Sequence, residues 1–333
     1  MFGNNGTYLY MDGEITGIQQ DNALSINMDS RSEPNGFHEC VIGPNGNIHD
    51  NKVSNGAVYM QTNGGTLDIY GKIVNNINYY SNGTDGRNSC AGLYMAHNWQ
   101  LSTVTMYEGA EICNNTSGEK TALIVSMGTF TMKGGLISGN IATQGDSGGV
   151  TVRNGGKFIM EGGTITNNTS VDDAGGLTFV SENWGSDGEI PYASLLNGTI
   201  SGNTMNATVS GSVDEGYAVS GGESCDLTVG NTTSSGGHIT RYLTVSEDMT
   251  LGNPDVYMQK YGFTLLDPQR GTKLGNASAD GETALKTASG NLGWEKDKLI
   301  ASFWAQSASN ETWELSGLTK DNAQLPVYAL VMP

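Results

Sequence analysis

TFTMKGGLISGN at 129–140 and KFIMEGGTITNN at 157–168 are one phrase written twice, and it recurs along the chain. Each copy is a short apolar or Met-containing strand, a Gly-rich turn, and then Ile-x-x-Asn. TLDIYGKIVNN at 66–76, TVTMYEGAEICNN at 103–115 and, more loosely, ASLLNGTISGN at 193–203 belong to the same series. The anchoring pairs are Ile73/Asn76, Ile112/Asn115, Ile137/Asn140, Ile165/Asn168 and Ile200/Asn203, with an earlier Ile48/Asn51 in GNIHDN. Repetition every 25 to 39 residues means one supersecondary unit stacked many times.

A second phrase alternates with the first: GAVYM at 56–60, AGLYM at 91–95, TALIV at 121–125, GGVTV at 148–152 and GGLTF at 175–179. Each has the length and the β-branched, aromatic composition of a strand opened by small residues. Three short strands per repeat leave no room for crossover helices, so successive copies stack directly as parallel strands about 4.8 Å apart. The expected fold is an all-β parallel β-helix, a solenoid with three sheets along its length. Identical residues then lie one above another. The repeated Ile fills the core, and the Asn amides hydrogen-bond along the stack as a ladder. Asn also tolerates the left-handed conformation that sharp turns demand. On the strands of the second phrase, Val58, Met60, Leu93, Met95, Val150, Val152, Leu177 and Phe179 are expected inside. Tyr59, Tyr94, Ile124, Thr151 and Thr178 are expected as a continuous outward stripe.

Composition agrees with a thin-cored solenoid. The 333 residues include 48 Gly but only 7 Pro, which argues against collagen and Pro-rich linkers, and the apolar share is 37%. A net charge of −18 disfavours nucleic acid or an anionic membrane surface as partner, because a polyanion must be met by cations. Cys40, Cys90, Cys113 and Cys225 are widely spaced, with no metal pattern and no disulfide framework indicated, and Cys113 in EICNN is expected buried. No 18-residue apolar run spans a membrane. The start, MFGNNGTYLY, lacks signal-peptide regions, and the repeat begins almost at once in YLYMDGEIT, so the chain reads as a segment of a longer one.

Stretched spacing marks where loops leave the stack. INYYSNGTDGRNSC lies between Asn76 and Asn115, and SENWGSDGEIPY lies between Asn168 and Asn203. Insertions on solenoids map to the working face. After about 203 the phrase weakens, and from about 270 the composition changes. Repeats over 1–269 followed by a C-terminal cap or the start of an adjoining module over 270–333 is the expected organisation, since a terminal coil is a bare strand edge.

The GG-[VL]-T strands and GG-x-I-[ST]-x-N turns over roughly 7–260 resemble the repeats of right-handed parallel β-helix proteins of bacterial surfaces, the polymorphic-outer-membrane-protein-like and adhesin-like repeats. Bacterial glycosidases and polysaccharide lyases share that scaffold. The resemblance implies right-handed winding and an extracellular or cell-surface location. No catalytic motif matches residue by residue.

Three function classes follow: an adhesin-like, glycan-facing surface scaffold; a carbohydrate-active enzyme; or a structural spacer of a larger surface protein. For the enzyme, Asp146 before GGVTV and Asp173 before GGLTF stand 27 residues apart at equivalent positions of adjacent coils. Carboxylates about 5 Å apart raise one pKa by like-charge repulsion and suit a retaining glycosidase. The same pair with calcium between them is the metal alternative, and Asp before a Gly-Gly turn is also ordinary turn chemistry. Arg153, outward between these coils, would pair with a substrate carboxylate or with the two Asp. For the binder, Tyr59, Tyr94, His97, Trp99, Thr151, Thr178 and Trp184 form the candidate platform, because aromatic faces suit sugar C–H faces. Glycans or host and cell-surface macromolecules are the expected partners.

Overall fold

The computed structural model describes residues 7–27, 38–62, 64–79, 90–95, 102–118, 121–144, 147–180, 192–212, 214–228, 239–245, 248–252, 263–267, 272–276, 302–305 and 327–332. The described residues are all-β, without a helix. The chain passes from a first sheet to a second and a third and then returns to the first one layer further on, which builds a solenoid-like stack. In one turn it forms Gly128–Met132, Leu136–Ser138, Ile141–Ala142 and Val150–Arg153, then re-enters the first sheet as Lys157–Met160. Each strand pairs in parallel with its counterpart one coil later: Phe130 with Phe158, Ile137 with Ile165, Val150 with Leu177.

The third sheet has an irregularity that the second phrase alone does not disclose. Lys52–Gln61 is one ten-residue strand. It pairs at its start with Ile77–Asn78 and further on with Cys90–Met95. Later coils break that strand into a two-residue piece directly after the ladder Asn and a separate four- to six-residue piece, such as Thr116–Ser117 and Thr121–Ser126.

Inside the stack, like sits on like. Ile48, Ile73, Ile112, Ile137, Ile165 and Ile200 form one fully buried row. Met106, Met132 and Met160 form another, and Phe130 stacks on Phe158 with centroids 5.8 Å apart. Full burial of such a side chain is worth about 1.5–3 kcal/mol. Val58, Met60, Leu93, Met95, Val150, Val152, Leu177 and Phe179 all belong to this core, as their alternation predicts. All four cysteines are buried free thiols. Burial pushes Cys40 and Cys113 up to about 11.

The Asn row is a one-way ladder: Asn51, Asn76, Asn115, Asn140, Asn168, Asn203. Each Nδ2 donates to the Oδ1 of the next Asn, at 2.8–3.0 Å over the run from Asn51 to Asn168. The second Nδ2 hydrogen goes back to the repeated Ile carbonyl of the preceding coil, as from Asn140 to Ile112 at 2.9 Å. Each Oδ1 also accepts the backbone N–H of the Asn before it. Every amide group in the run is therefore satisfied without water, as burial requires. The direction of donation leaves the last rung needing only an acceptor. Asp226 supplies it, its Oδ1 taking both the N–H and the Nδ2 of Asn203 at 2.8 Å. At the other end Ile18, which stands where an Asn would, donates its backbone N–H to Asn51 Oδ1 at 2.9 Å.

The left-handed residue is not the ladder Asn but the one before it. Asp50, Asn75, Asn114 and Asn167 have φ of 52–56°, and Gly139 and Gly202 have 68° and 72°. The turn must be sharp there so that the following Asn side chain can point inward to its neighbours. Asn, Asp and Gly alternate at this position because they tolerate that conformation.

Antiparallel pairings appear near the C-terminal side. Thr208–Ser212 and Gly216–Ser220 form a separate antiparallel hairpin, whose tip residue Asp214 contacts Lys52 at 2.9 Å, 162 residues away in sequence. Ile239–Val245 pairs in parallel with Tyr192–Leu195 on one side and antiparallel with Val327–Met332 on the other. A strand of the 270–333 segment is thereby laid against the first sheet.

Candidate functional site

The expected stripe on the third sheet exists as a register row. Tyr59 pairs with Tyr94, Tyr94 with Ile124, Ile124 with Thr151 and Thr151 with Thr178. It does not lie open. Tyr94 is 2% exposed, Ile124, Thr151 and Thr178 are fully buried, and Tyr59 is half-buried. Cys90, Tyr94 and Ile124, with Tyr59 against them, make a second small core on the outer side of this sheet. Alternation predicts which side of a strand a residue takes. It says nothing of whether other parts of the chain cover that side, so the stripe is correct in geometry and closed to solvent.

Arg153 follows the same pattern. It leaves the strand on the outer side and is fully buried there. Its Nη2 donates to the Tyr94 hydroxyl at 3.3 Å, and its guanidinium lies 5.6 Å from the Tyr94 ring centre. A desolvated cation over an aromatic face is worth up to about 2 kcal/mol. The Tyr59 and Tyr94 rings meet edge to face at 5.4 Å, and Tyr59 donates to Gln61 Oε1 at 2.9 Å. Burial pushes the Tyr59 hydroxyl up to about 12, and the neighbouring Tyr94 adds to the shift. Burial also raises the Cys90 thiol, against the opposing pull of the Arg153 cation. The phenol and the thiol are therefore neutral at physiological pH and the guanidinium is charged.

Asp173 is 8% exposed and sits in a tight turn, where the N–H groups of Asp172 and Asp173 both donate to Ser170 Oγ at 3.3 Å. The strands that follow keep the 27-residue offset, Val150 against Leu177, on which the Asp146–Asp173 alignment rests. Asp146, His97, Trp99 and Trp184 lie outside the described residues. Among the described residues, no three His, Cys, Asp or Glu side chains are grouped to hold a metal ion, and no helix is long and apolar enough to cross a membrane.

The open aromatic surface is on the first sheet, at its N-terminal end. Tyr8 is 61% exposed and Tyr10 50%, both on the outer face of the strand Thr7–Met11. Glu39 pairs with Tyr8 in the next coil and is exposed. Along the same border the Tyr70 and Tyr107 rings stack at 4.3 Å and 8°, with Lys133 Nζ 5.5 Å from the Tyr107 ring centre. Asp12 accepts the N–H and Nδ2 of Asn45 at 2.8 and 3.0 Å, and these bonds hold its carboxyl below the usual range. The signal for this border is in the sequence: TLDIY and TVTMY each set a Tyr directly after their strand, and YLY alternates Tyr outward.

No protein-family model, no curated protein and no solved structure matches this chain.

Proposed function

We propose that this chain is a right-handed parallel β-helix that acts as a rigid, adhesin-like scaffold segment of a larger protein at a bacterial surface and presents a face to glycans. One observation carries the scaffold half: the ladder from Asn51 to Asp226 runs without a broken rung. A ladder whose buried amide groups are all satisfied internally resists bending and local opening. That suits an element that projects other surfaces. The charge of −18 favours solubility and disfavours polyanionic partners. Exposed tyrosines on the first sheet supply the apolar faces on which sugars stack.

A glycan-array screen of the purified chain, with release of reducing ends measured on every bound sugar, tests the proposal. Binding without release supports the scaffold and binding reading. Turnover would replace it with the carbohydrate-active enzyme and send attention back to Asp146, Asp173 and Arg153. Binding to no glycan leaves a spacer. The handedness is tested by an experimental structure.

A further inference from the structure

We infer that the Tyr8–Tyr10 face and the border beside it form a subsite for a neutral glycan chain lying along the axis of the stack. The inference rests on the glycan-facing reading above and gives it a place. Tyr8 and Tyr10 are the most exposed of the large apolar side chains described, at 61% and 50%. They stand two residues apart on one strand, so their rings rise from the same face about 7 Å apart. Folding gains nothing from leaving such a pair in water, and exposed aromatic patches mark binding surfaces.

The surroundings select the ligand. Tyr10 lies over Gly43 of the second coil: a Cβ built on Gly43 would sit 2.6 Å from the Tyr10 hydroxyl oxygen and would also collide with Asp12 Oδ1. The missing side chain makes room for the ring, and it is the Gly43 row, two residues beyond the Tyr10 row, that continues to Tyr70 and Tyr107 in the third and fourth coils. From first coil to fourth the border measures about 14 Å, the span of a short oligosaccharide. Its charged groups are the carboxylates of Glu39, Asp12 and Asp68, which suit sugar hydroxyl donors, with Lys133 as the cation over Tyr107. Carboxylates along the border, under a net charge of −18, repel uronates and sulfated sugars. These groups together favour a neutral chain.

The test uses the full chain and measures affinity for neutral gluco-, xylo- and manno-oligosaccharides, with polygalacturonate and chondroitin sulfate as anionic probes. Neutral oligosaccharides are expected to bind, and Tyr8→Ala with Tyr10→Ala to weaken binding at least about tenfold. The thermal melt monitors folding, and Tyr8→Ala alone provides a second variant, because Tyr8 does not share the Gly43 contact. Wild-type binding to neutral sugars that both variants retain overturns the subsite and leaves the glycan-facing reading standing. Preference for the anionic probes overturns the neutral assignment. Binding to neither class overturns both.

Discussion

Replacing Asn140 by Asp exchanges one amide for a carboxylate in the middle of the ladder, and the surroundings of that group allow the cost to be worked out. Asn140 Oδ1 accepts from the N–H and Nδ2 of Asn115 at 2.9 and 3.0 Å, and an aspartate oxygen keeps both bonds. Its Nδ2 donates to Ile112 O at 2.9 Å and Asn168 Oδ1 at 2.8 Å. There the carboxylate would set a second oxygen against two acceptors. An uncompensated charge in a fully buried site costs about 3–5 kcal/mol. The sign of the pH dependence follows. Burial and the facing acceptors raise the folded-state carboxyl above its unfolded value of about 3.9, so the folded state holds the proton longer and stability falls as pH rises above about 4. At pH 4 the neutral acid recovers one donor, and the deficit is expected to shrink by about half. Asp226→Asn is the comparison. It keeps an oxygen to accept both Asn203 donors and is expected to cost less than about 1 kcal/mol. Urea midpoints by circular dichroism at pH 4 and pH 7 give the numbers. Hydrogen exchange at the Asn115 amide, which donates into the replaced group, localises them, since stacked repeats can unfold in parts. Equal destabilisation of the two variants at pH 7, or a flat Asn140→Asp deficit between pH 4 and 7, would refute the directional ladder.

Ile137→Ala opens a cavity in a fully buried row and is expected to cost about 2–5 kcal/mol by denaturant unfolding, against about 0.5–1.5 for Ile137→Val. Asn167→Gly, at φ 55°, is expected to be near neutral in thermal melting, whereas Asn167→Val lowers the midpoint by several degrees because a β-branched residue is strained there. The raised thiols of Cys40 and Cys113 make stability fall as pH rises from about 9 toward 11, and both should resist a thiol reagent at pH 8 until the chain unfolds; fast labelling of the native protein would contradict their burial. Lys52→Ala breaks an exposed ion pair and should change the unfolding free energy by less than about 1 kcal/mol, while deuterium uptake rises in the 208–220 hairpin. If calcium sits between Asp146 and Asp173, a chelator lowers the melting temperature of the wild type and leaves that of Asp146→Asn with Asp173→Asn unchanged; identical shifts in both proteins would dismiss the site.

What could be read from residue order was what repeats. Ile-x-x-Asn recurs because one coil repeats, so the core rows and the amide ladder were legible from spacing alone. The position of the left-handed residue was off by one, since Asn occupies both the turn and the ladder in three of the copies, VNN, CNN and TNN. The closing Asp226 was missed because CDLTVG carries no Ile-x-x-Asn phrase. It is intelligible only once the direction of donation is known. Burial of Tyr94, Thr151 and Arg153 was illegible for a different reason: alternation reports the side of a strand, and cover comes from elsewhere in the chain. The exposed Tyr8 and Tyr10 were passed over because they precede the first full phrase, although their i, i+2 spacing places them outward.

Because every rung of the ladder receives and passes on the same bonds, the length of this molecule is set in whole coils. Residues 141–168, the 28 between one rung and the next, could be excised and Asn140 would meet Asn203 as it now meets Asn168. Additions work the same way. Asp226 closes the row whatever number of rungs comes before it. Duplication or loss of a single coil thus keeps the ladder intact, and the length of the stack becomes a trait that selection can adjust without redesigning the ladder.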